Sequence, residues 1–310
     1  LMITHRLYKG ICYMLLSATG LSVSILFVKL ASPFFSFYQL AFLRFLIPLL
    51  ILIPFVTQAK SRYLILKTSR IKAYFLRALL VAVGQLSIFY YISRSSVLNA
   101  IVLLNTGPLF IPILTWIFLK HPLRISTIIS ILISFSGVLL ILGPDQGLFT
   151  LLSFAGLLAG FCNGASQVVY GYNVSEEANI VSLFYLYFFT TFLTLFPFLF
   201  YVTSTGFDKL ELSMISYQGL PMFYVFMTAI MSLGNQIFRG MSYKMGKPGT
   251  MAVFLYLSVV LAGLWDWLFL GVVQSVSTII GALLVIFGGT LKGIMIYIHL
   301  KKHHSKSSLK

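Results

Sequence analysis

The chain of 310 residues is 59% hydrophobic and only 9% charged, whereas a soluble domain carries about 25% charged residues. A surface this poor in charge excludes an ordinary water-soluble protein. The net charge of +16 does not indicate a nucleic-acid partner, because the basic residues cluster at the ends of apolar runs, where they fix topology and contact lipid headgroups. Cys12 and Cys162 lie inside apolar runs without metal-site spacing, so neither a metal nor a cofactor is expected.

Ten continuous apolar runs predict ten transmembrane helices. A run of about 20 apolar residues is long enough, as a helix, to cross the hydrocarbon core of a bilayer. The run must be helical because lipid offers backbone N–H and C=O groups no partners. The strands of a β-barrel would alternate polar and apolar residues instead. The predicted spans are Gly10–Leu30, Phe34–Thr57, Ile71–Ile92, Val97–Leu119, Ile125–Leu142, Leu151–Tyr172, Ile180–Thr203, Leu220–Ser242, Gly249–Val272 and Val276–Ile298.

Lysine and arginine residues predict the orientation of these spans. With the N-terminus in the cytoplasm, 15 of them fall on the inner side and only Arg94 and Lys209 fall in outer loops. Cytoplasmic segments carry the excess of these residues. We therefore expect a multi-pass protein with both termini cytoplasmic, and residues 301–310 as a basic cytoplasmic tail. The absence of a targeting extension favours the cell (inner) membrane.

The two halves of the chain resemble each other in pattern. Gly84-Gln85 in span three is echoed by Gly234-Asn235 in span eight, and each pair is followed by a short polar break and a further apolar span. Five spans in each half is an odd number, so the second half must enter the membrane from the opposite side. The sequence therefore predicts an all-α polytopic membrane protein with two inverted five-helix repeats, residues 1–147 and 148–300, an arrangement that many secondary transporters use.

Several short motifs, in this order along the chain, carry a family resemblance. They are Leu26–Ala31 with Lys29, Leu40–Phe45 with Arg44, Ser95–Ala100, Gly107–Phe110, Phe135–Leu140 and Trp267–Gly271. Together they resemble the EamA-like branch of the drug/metabolite transporter superfamily. The resemblance implies ten helices in two inverted halves around a central cavity, and it names no substrate. Many family members have a Gly-Glu pair after helices four and nine, where this chain has Lys120-His121 and Gly271-Val272.

Polar residues at membrane depth are the candidate cavity residues, because such groups are costly in lipid. Asn235, Gln236 and Arg239 share one helix face, as do Asn163 and Gln167 on span six. The full candidate set for solute binding is Arg44, Gln85, Asn105, Asn163, Gln167, Asn235, Gln236, Arg239 and Tyr256. Hydrogen bonding between helices is the alternative role for these groups. Pro108 should also loosen span four after Asn105, because it lacks an N–H and frees a carbonyl one turn back.

Charged residues nearer the span ends have other expected roles. Asp266 is the only carboxylate inside a predicted span, so it is the coupling candidate if transport is proton-coupled, with an ion pair to Lys29 or Arg44 as the alternative. Lys29 and Arg77 are expected to extend their charges toward the membrane surface as anchors.

A secondary transporter of a small polar or amphipathic metabolite, working by alternating access, is the function that these patterns favour. The expected partners are a solute and membrane lipids, with the protein as a monomer or homodimer. The alternatives are a membrane-embedded scaffold, a channel, or an enzyme acting on lipid. No catalytic residues are predicted, because the sequence offers no HExxH, no GxSxG and no clustered acids.

Overall fold

The computed structural model describes residues 2–58, 63, 65, 67–120, 125–142, 150–173, 177–205, 219–245, 251–288 and 290. The elements within these ranges are helical, without a strand, so the predicted all-α class is confirmed. The α-helices are α1 (Met2–Ala31), α2 (Phe37–Val56), α3 (Ile71–Ile92), α4 (Val97–Leu104), α5 (Gly107–Leu119), α6 (Ile125–Leu142), α7 (Leu151–Asn173), α8 (Asn179–Thr205), α9 (Leu220–Met245), α10 (Leu257–Leu270) and α11 (Val276–Gly288).

Seven apolar helical segments of the described chain are long enough to cross a membrane, with α4 and α5 counted as one continuous segment. Three shorter apolar segments are Ile128–Ile141, Phe254–Leu270 and Val276–Gly288. Each of these ten segments overlaps one predicted span. Ten membrane crossings in two inverted halves stay a prediction, and the tail at residues 301–310 lies outside the described residues.

Span four is interrupted where the sequence predicted it. α4 ends at Leu104, Asn105 and Thr106 form a turn, and α5 begins at Gly107. Pro108 lies in the first turn of α5, and its missing N–H leaves the Leu104 carbonyl without its usual intrahelical donor. The side-chain amide of Asn163 on α7 donates to that carbonyl at 2.9 Å. A side chain of a neighbouring helix therefore donates the hydrogen bond that the Leu104 carbonyl lacks within its own helix.

Span nine also departs from a regular α-helix. It begins with a 3₁₀ turn, Ala252–Tyr256, before α10 continues to Leu270. Asn105 Nδ2 donates to Ser258 Oγ at 2.9 Å, and Ser258 Oγ donates to the Leu255 carbonyl at 2.6 Å. The irregular parts of spans four and nine therefore meet each other inside the bundle.

The helices pack in a small number of extensive pairs. α1 lies along α9, α3 lies along α7, and α2 contacts α8. α3 also packs on α8 and α2 on α9, while α4 contacts α10. α6 and α11 approach closely at Gly137 and Gly281. The largest apolar core surrounds α4, where Val97 and Leu98 and most of the following residues are buried.

Large apolar side chains cover the outside of the bundle. Phe192, Phe196 and Phe200 follow one face of α8 at intervals of four residues, and all three are exposed. Such a stripe is unfavourable in water, because soluble monomers rarely expose contiguous apolar patches of this kind. The outer surface is therefore suited to contact with lipid.

The contact between α6 and α11 should depend on the absence of side chains. A Cβ at Gly281 would lie 2.5 Å from the Gly137 carbonyl oxygen and 2.7 Å from Ile141 Cγ1. We expect Gly281→Ala to cost about 1–3 kcal/mol of stability through overpacking, seen as a lower melting temperature in detergent. Gly171→Ala is the matched control, because a Cβ there meets no atom within 4 Å. Equal melting temperatures for the two variants would contradict the close helix contact.

Candidate functional site

A cavity of about 60 Å³ lies among α2, α3, α7 and α9, which is room for a few water molecules. Seven of the nine candidate residues line it, namely Arg44, Gln85, Asn163, Gln167, Asn235, Gln236 and Arg239. Asn105 and Tyr256 do not line it, since Asn105 is turned to Ser258 and Tyr256 is buried without a hydrogen-bond partner for its hydroxyl group. Solute binding by these residues stays a prediction.

Arg44 enters the cavity from α2 and is only 4% exposed. Its Nε donates to Ser232 Oγ on α9 at 3.0 Å, and its Cζ lies 5.3 Å from the centre of the Phe89 ring. Its Nη1 has no hydrogen-bond partner. Arg44 is therefore tethered to α9 through one nitrogen, while the donors of a second, buried nitrogen are unsatisfied.

Arg77 also lines the cavity, so its interpretation as a surface anchor is wrong. The side chain is 8% exposed, and its Nη1 donates to Ser182 Oγ on α8 at 2.7 Å. Its Cζ lies 4.3 Å from the centre of the Tyr170 ring, within range of a cation–π interaction. The guanidinium group points into the bundle because these neutral partners hold it there.

Arg239 lines the cavity from α9, and its Nε is buried without a hydrogen-bond partner. Arg44 and Arg77 line the same cavity, so three positive charges face one small space. One turn further along α9, Tyr243 donates its hydroxyl to Gln167 Oε1 on α7 at 2.7 Å. This contact links α7 and α9 at the edge of the cavity.

Acidic groups are absent from the lining of the cavity as the structure describes it. Of the six acidic residues in the chain, two lie in the described ranges, Glu177 and Asp266. The Glu177 carboxylate accepts hydrogen bonds from Thr68 Oγ1 and the Tyr74 hydroxyl, both at 2.7 Å. The described residues also contain no group of three His, Cys, Asp or Glu side chains that could bind a metal.

Some of the cavity amides also join helices, as the alternative interpretation expected. Asn235 Nδ2 donates to the Ser17 carbonyl at 2.7 Å, and Ser17 Oγ donates to the Asn235 carbonyl at 3.1 Å. These bonds tie α1 to α9 where a Cβ at Gly20 would lie 3.0 Å from the Met231 carbonyl oxygen. Asn235 therefore stabilises the helix pair as well as lining the cavity.

Asp266 is fully buried at the N-terminus of α4. Its two carboxylate oxygens accept hydrogen bonds from the backbone amides of Val97 at 3.0 Å and Leu98 at 2.9 Å, and Gln274 Nε2 donates to it at 2.7 Å. A carboxylate is favourable there, because the first amides of a helix lack intrahelical acceptors and carry partial positive charge. This geometry supports a structural role, while its coupling role stays a prediction.

Lys29 binds the other side of the turn that joins α3 to α4. Its Nζ donates to the carbonyls of Ile92 at 2.9 Å and Ser95 at 2.8 Å, at the C-terminal end of α3. A cation is favourable at this end of a helix. Lys29 and Asp266 therefore hold the two sides of the α3–α4 turn, and Lys29 binds protein carbonyls instead of extending to the surface as an anchor.

Several apolar helices of membrane-spanning length, packed around a polar cavity, define a polytopic membrane protein. Residues 8–143 match the EamA-like transporter family. Solute carrier family 35 member G1 of Homo sapiens is 26% identical, over 89% of this chain and 76% of that protein. The S-adenosylmethionine uptake transporter of Rickettsia prowazekii is 24% identical, over 90% of each chain.

A solved crystal structure also resembles the chain, with a TM-score of 0.60 and 16% identity over 94% of this chain and 98% of that one. At this identity the likeness concerns the fold alone. The match over residues 8–143 and the transporter relatives confirm the resemblance seen in the motifs. The relatives over most of the chain support a membrane solute transporter, and residues 8–143 are similar to the EamA-like transporter family.

Replacing Asp266 should separate its structural role from a coupling role. Asp266→Ala leaves the buried amides of Val97 and Leu98 without an acceptor, at a cost of about 3 kcal/mol, and we expect a lower melting temperature in detergent. Asp266→Asn keeps one acceptor oxygen and should lose less. If both variants melt like the wild type and only proton-driven uptake is lost, the structural role is wrong and the coupling role is correct.

Proposed function

We propose that the protein carries a small polar solute through its central cavity by alternating access, using two inverted five-helix halves at residues 1–147 and 148–300. The observation that carries this proposal is the cavity itself, where seven candidate polar residues from both halves meet at membrane depth. Polar groups in this position are costly unless they serve a solute or one another.

The helix contacts support an internal two-fold relation between the halves. Suppose that the relation exchanges α1 with α7, α2 with α8 and α3 with α9. The contact of α1 with α9 then becomes that of α7 with α3, and the contact of α2 with α9 becomes that of α8 with α3; all four contacts are present. The contact of α2 with α8 is mapped onto itself. The contact of Gly137 on α6 with Gly281 on α11 is also mapped onto itself when α6 and α11 exchange. Inverted repeats of this kind allow a site to face either side by rocking of the halves.

Two aromatic contacts join the halves near opposite ends of helices that line the cavity. Near the start of α2 and the end of α8, the rings of Phe42 and Phe198 stack with their centres 4.9 Å apart. Near the start of α3 and of α8, the rings of Tyr74 and Tyr185 stack at 4.9 Å. We assign these contacts as the outer and inner gates, and alternating access requires that they open in turn.

The orientation and assembly form part of the same proposal. The excess of lysine and arginine on one side supports cytoplasmic termini and a cell (inner) membrane location. The lipid-facing phenylalanine stripe on α8 supports direct contact with membrane lipids. A carrier whose cavity is built within one chain functions as a monomer, or as a homodimer with a cavity in each copy.

Saturable counterflow in proteoliposomes tests the carrier function. The labelled panel should cover different charges: alanine, succinate, putrescine and S-adenosylmethionine, the last because one relative is named for its uptake. We expect at least one probe to enter faster when the same compound is present inside. A carrier that binds the internal compound returns its site to the outside in the loaded form, where it can take up the labelled probe. Flux that rises linearly with concentration and shows no stimulation from inside indicates a channel and contradicts the proposal.

Cross-linking a gate tests alternating access. In a background of Cys12→Ser and Cys162→Ser, a short bis-methanethiosulfonate should join the pair Phe42→Cys with Phe198→Cys and reduce counterflow to background, and a reductant should restore it. Phe192→Cys with Phe196→Cys is the matched control, because those rings are 5.3 Å apart on a single exposed helix. Unchanged counterflow through the cross-linked Phe42 and Phe198 positions would overturn the gate assignment.

A further inference from the structure

Three guanidinium groups converge on one small cavity from three helices. Arg44 comes from α2, Arg77 from α3 and Arg239 from α9, and the space between them is about 60 Å³. Arg44 and Arg77 are almost fully buried. Charges at this depth are costly, and repulsion among like charges in a poorly solvated site adds to that cost.

The protein partners of these groups are neutral. Ser232 accepts from Arg44 and Ser182 accepts from Arg77, and aromatic rings lie beside both guanidinium groups. Arg44 Nη1 and Arg239 Nε are buried and have no hydrogen-bond partner. A buried N–H donor without an acceptor is unfavourable. The two free donors belong to different side chains, so they indicate a ligand with acceptors at more than one position.

We infer that the cavity binds a small solute with two or more negative charges, and that the protein exchanges such solutes across the membrane. The inference rests on the proposed carrier function and deepens it by naming the substrate class and the mode of transport. Carboxylate and phosphate groups match the planar donor geometry of arginine. A solute with a single negative charge leaves two of the three guanidinium charges uncompensated, whereas a dianion engages two of them.

Exchange follows from the cost of closing the cavity without an anion. To change its orientation unloaded, the protein must pass through a closed state in which three positive charges share space for only a few waters. A bound dianion supplies the missing opposite charge and the missing acceptors, so the loaded protein reorients faster. After it releases one anion, the protein then returns its site to the other side only when it has bound another anion.

The first test is counterflow with the wild-type protein in proteoliposomes. The probes are succinate, glycerol 3-phosphate, alanine and putrescine, so that carboxylate, phosphate ester, zwitterion and cation are compared directly. We expect one or both dianions to enter, and entry to be about tenfold faster with a dianion inside than without one, because a buried charge that loses its partner is strongly unfavourable. The difference between succinate and glycerol 3-phosphate identifies which acidic group is preferred.

The second test uses single neutralising variants, Arg44→Gln, Arg77→Gln and Arg239→Gln, each checked for folding by its melting temperature in detergent. Each should weaken the apparent affinity for the transported dianion by about tenfold or more, because a charge-assisted hydrogen bond is lost. Arg94→Gln is the matched control, since Arg94 is exposed beside Tyr90 and lies outside this cavity. Arg44→Lys keeps the charge and should retain part of the affinity.

The outcomes separate the two proposals. Counterflow of alanine or putrescine without any dianion overturns the anion site and leaves the carrier function standing. Dianion entry that does not depend on internal dianion overturns the exchange mechanism. Folded arginine variants that transport a dianion like Arg94→Gln overturn the role of the three arginines. Absence of saturable flux for every probe overturns the carrier function and, with it, this inference.

Discussion

A guanidinium group at membrane depth must be held by polar atoms, because hydrocarbon solvates neither its charge nor its N–H donors. Arg44, Arg77 and Arg239 meet this constraint only by turning inward, where hydroxyl groups and aromatic faces surround them. Their helices must therefore pack with these faces toward one another, and apolar side chains cover the opposite faces. The cavity follows from the same constraint, since the charges cannot approach each other closely enough to fill the space between them.

The remaining described charges within the bundle are placed at helix ends instead of in the cavity. Lys29 binds the terminal carbonyls of α3, and Asp266 binds the first amides of α4. Both ends of the turn are thus fixed by opposite charges from other helices, at positions where the backbone itself carries complementary partial charge.

Continuous apolar runs were sufficient to predict the helices, because the length of an apolar run in the sequence matches the thickness of the membrane that it crosses. The break after Asn105 was predictable from Pro108, whose missing N–H is a local property. The hydrogen bond from Asn163 to the freed carbonyl was not predictable, because it depends on packing between distant helices. Arg77 was misassigned by its distance from the span end, although Arg77 and Gln85 lie two turns apart on one face of α3 and this periodicity could have revealed it. The binding of Asp266 to α4 joins residues far apart in sequence, and no local pattern marks it.

Accessibility of the cavity from both sides of the membrane is the most direct test of this account. Ser166 lines the cavity, so Ser166→Cys in the cysteine-free background places a thiol there with little change in size. A charged, membrane-impermeant thiosulfonate should modify it in right-side-out and in inside-out vesicles, and should modify the exposed mid-helix control Ser136→Cys in neither. Failure to label Ser166→Cys from one or both sides would contradict a cavity that opens alternately to each face of the membrane.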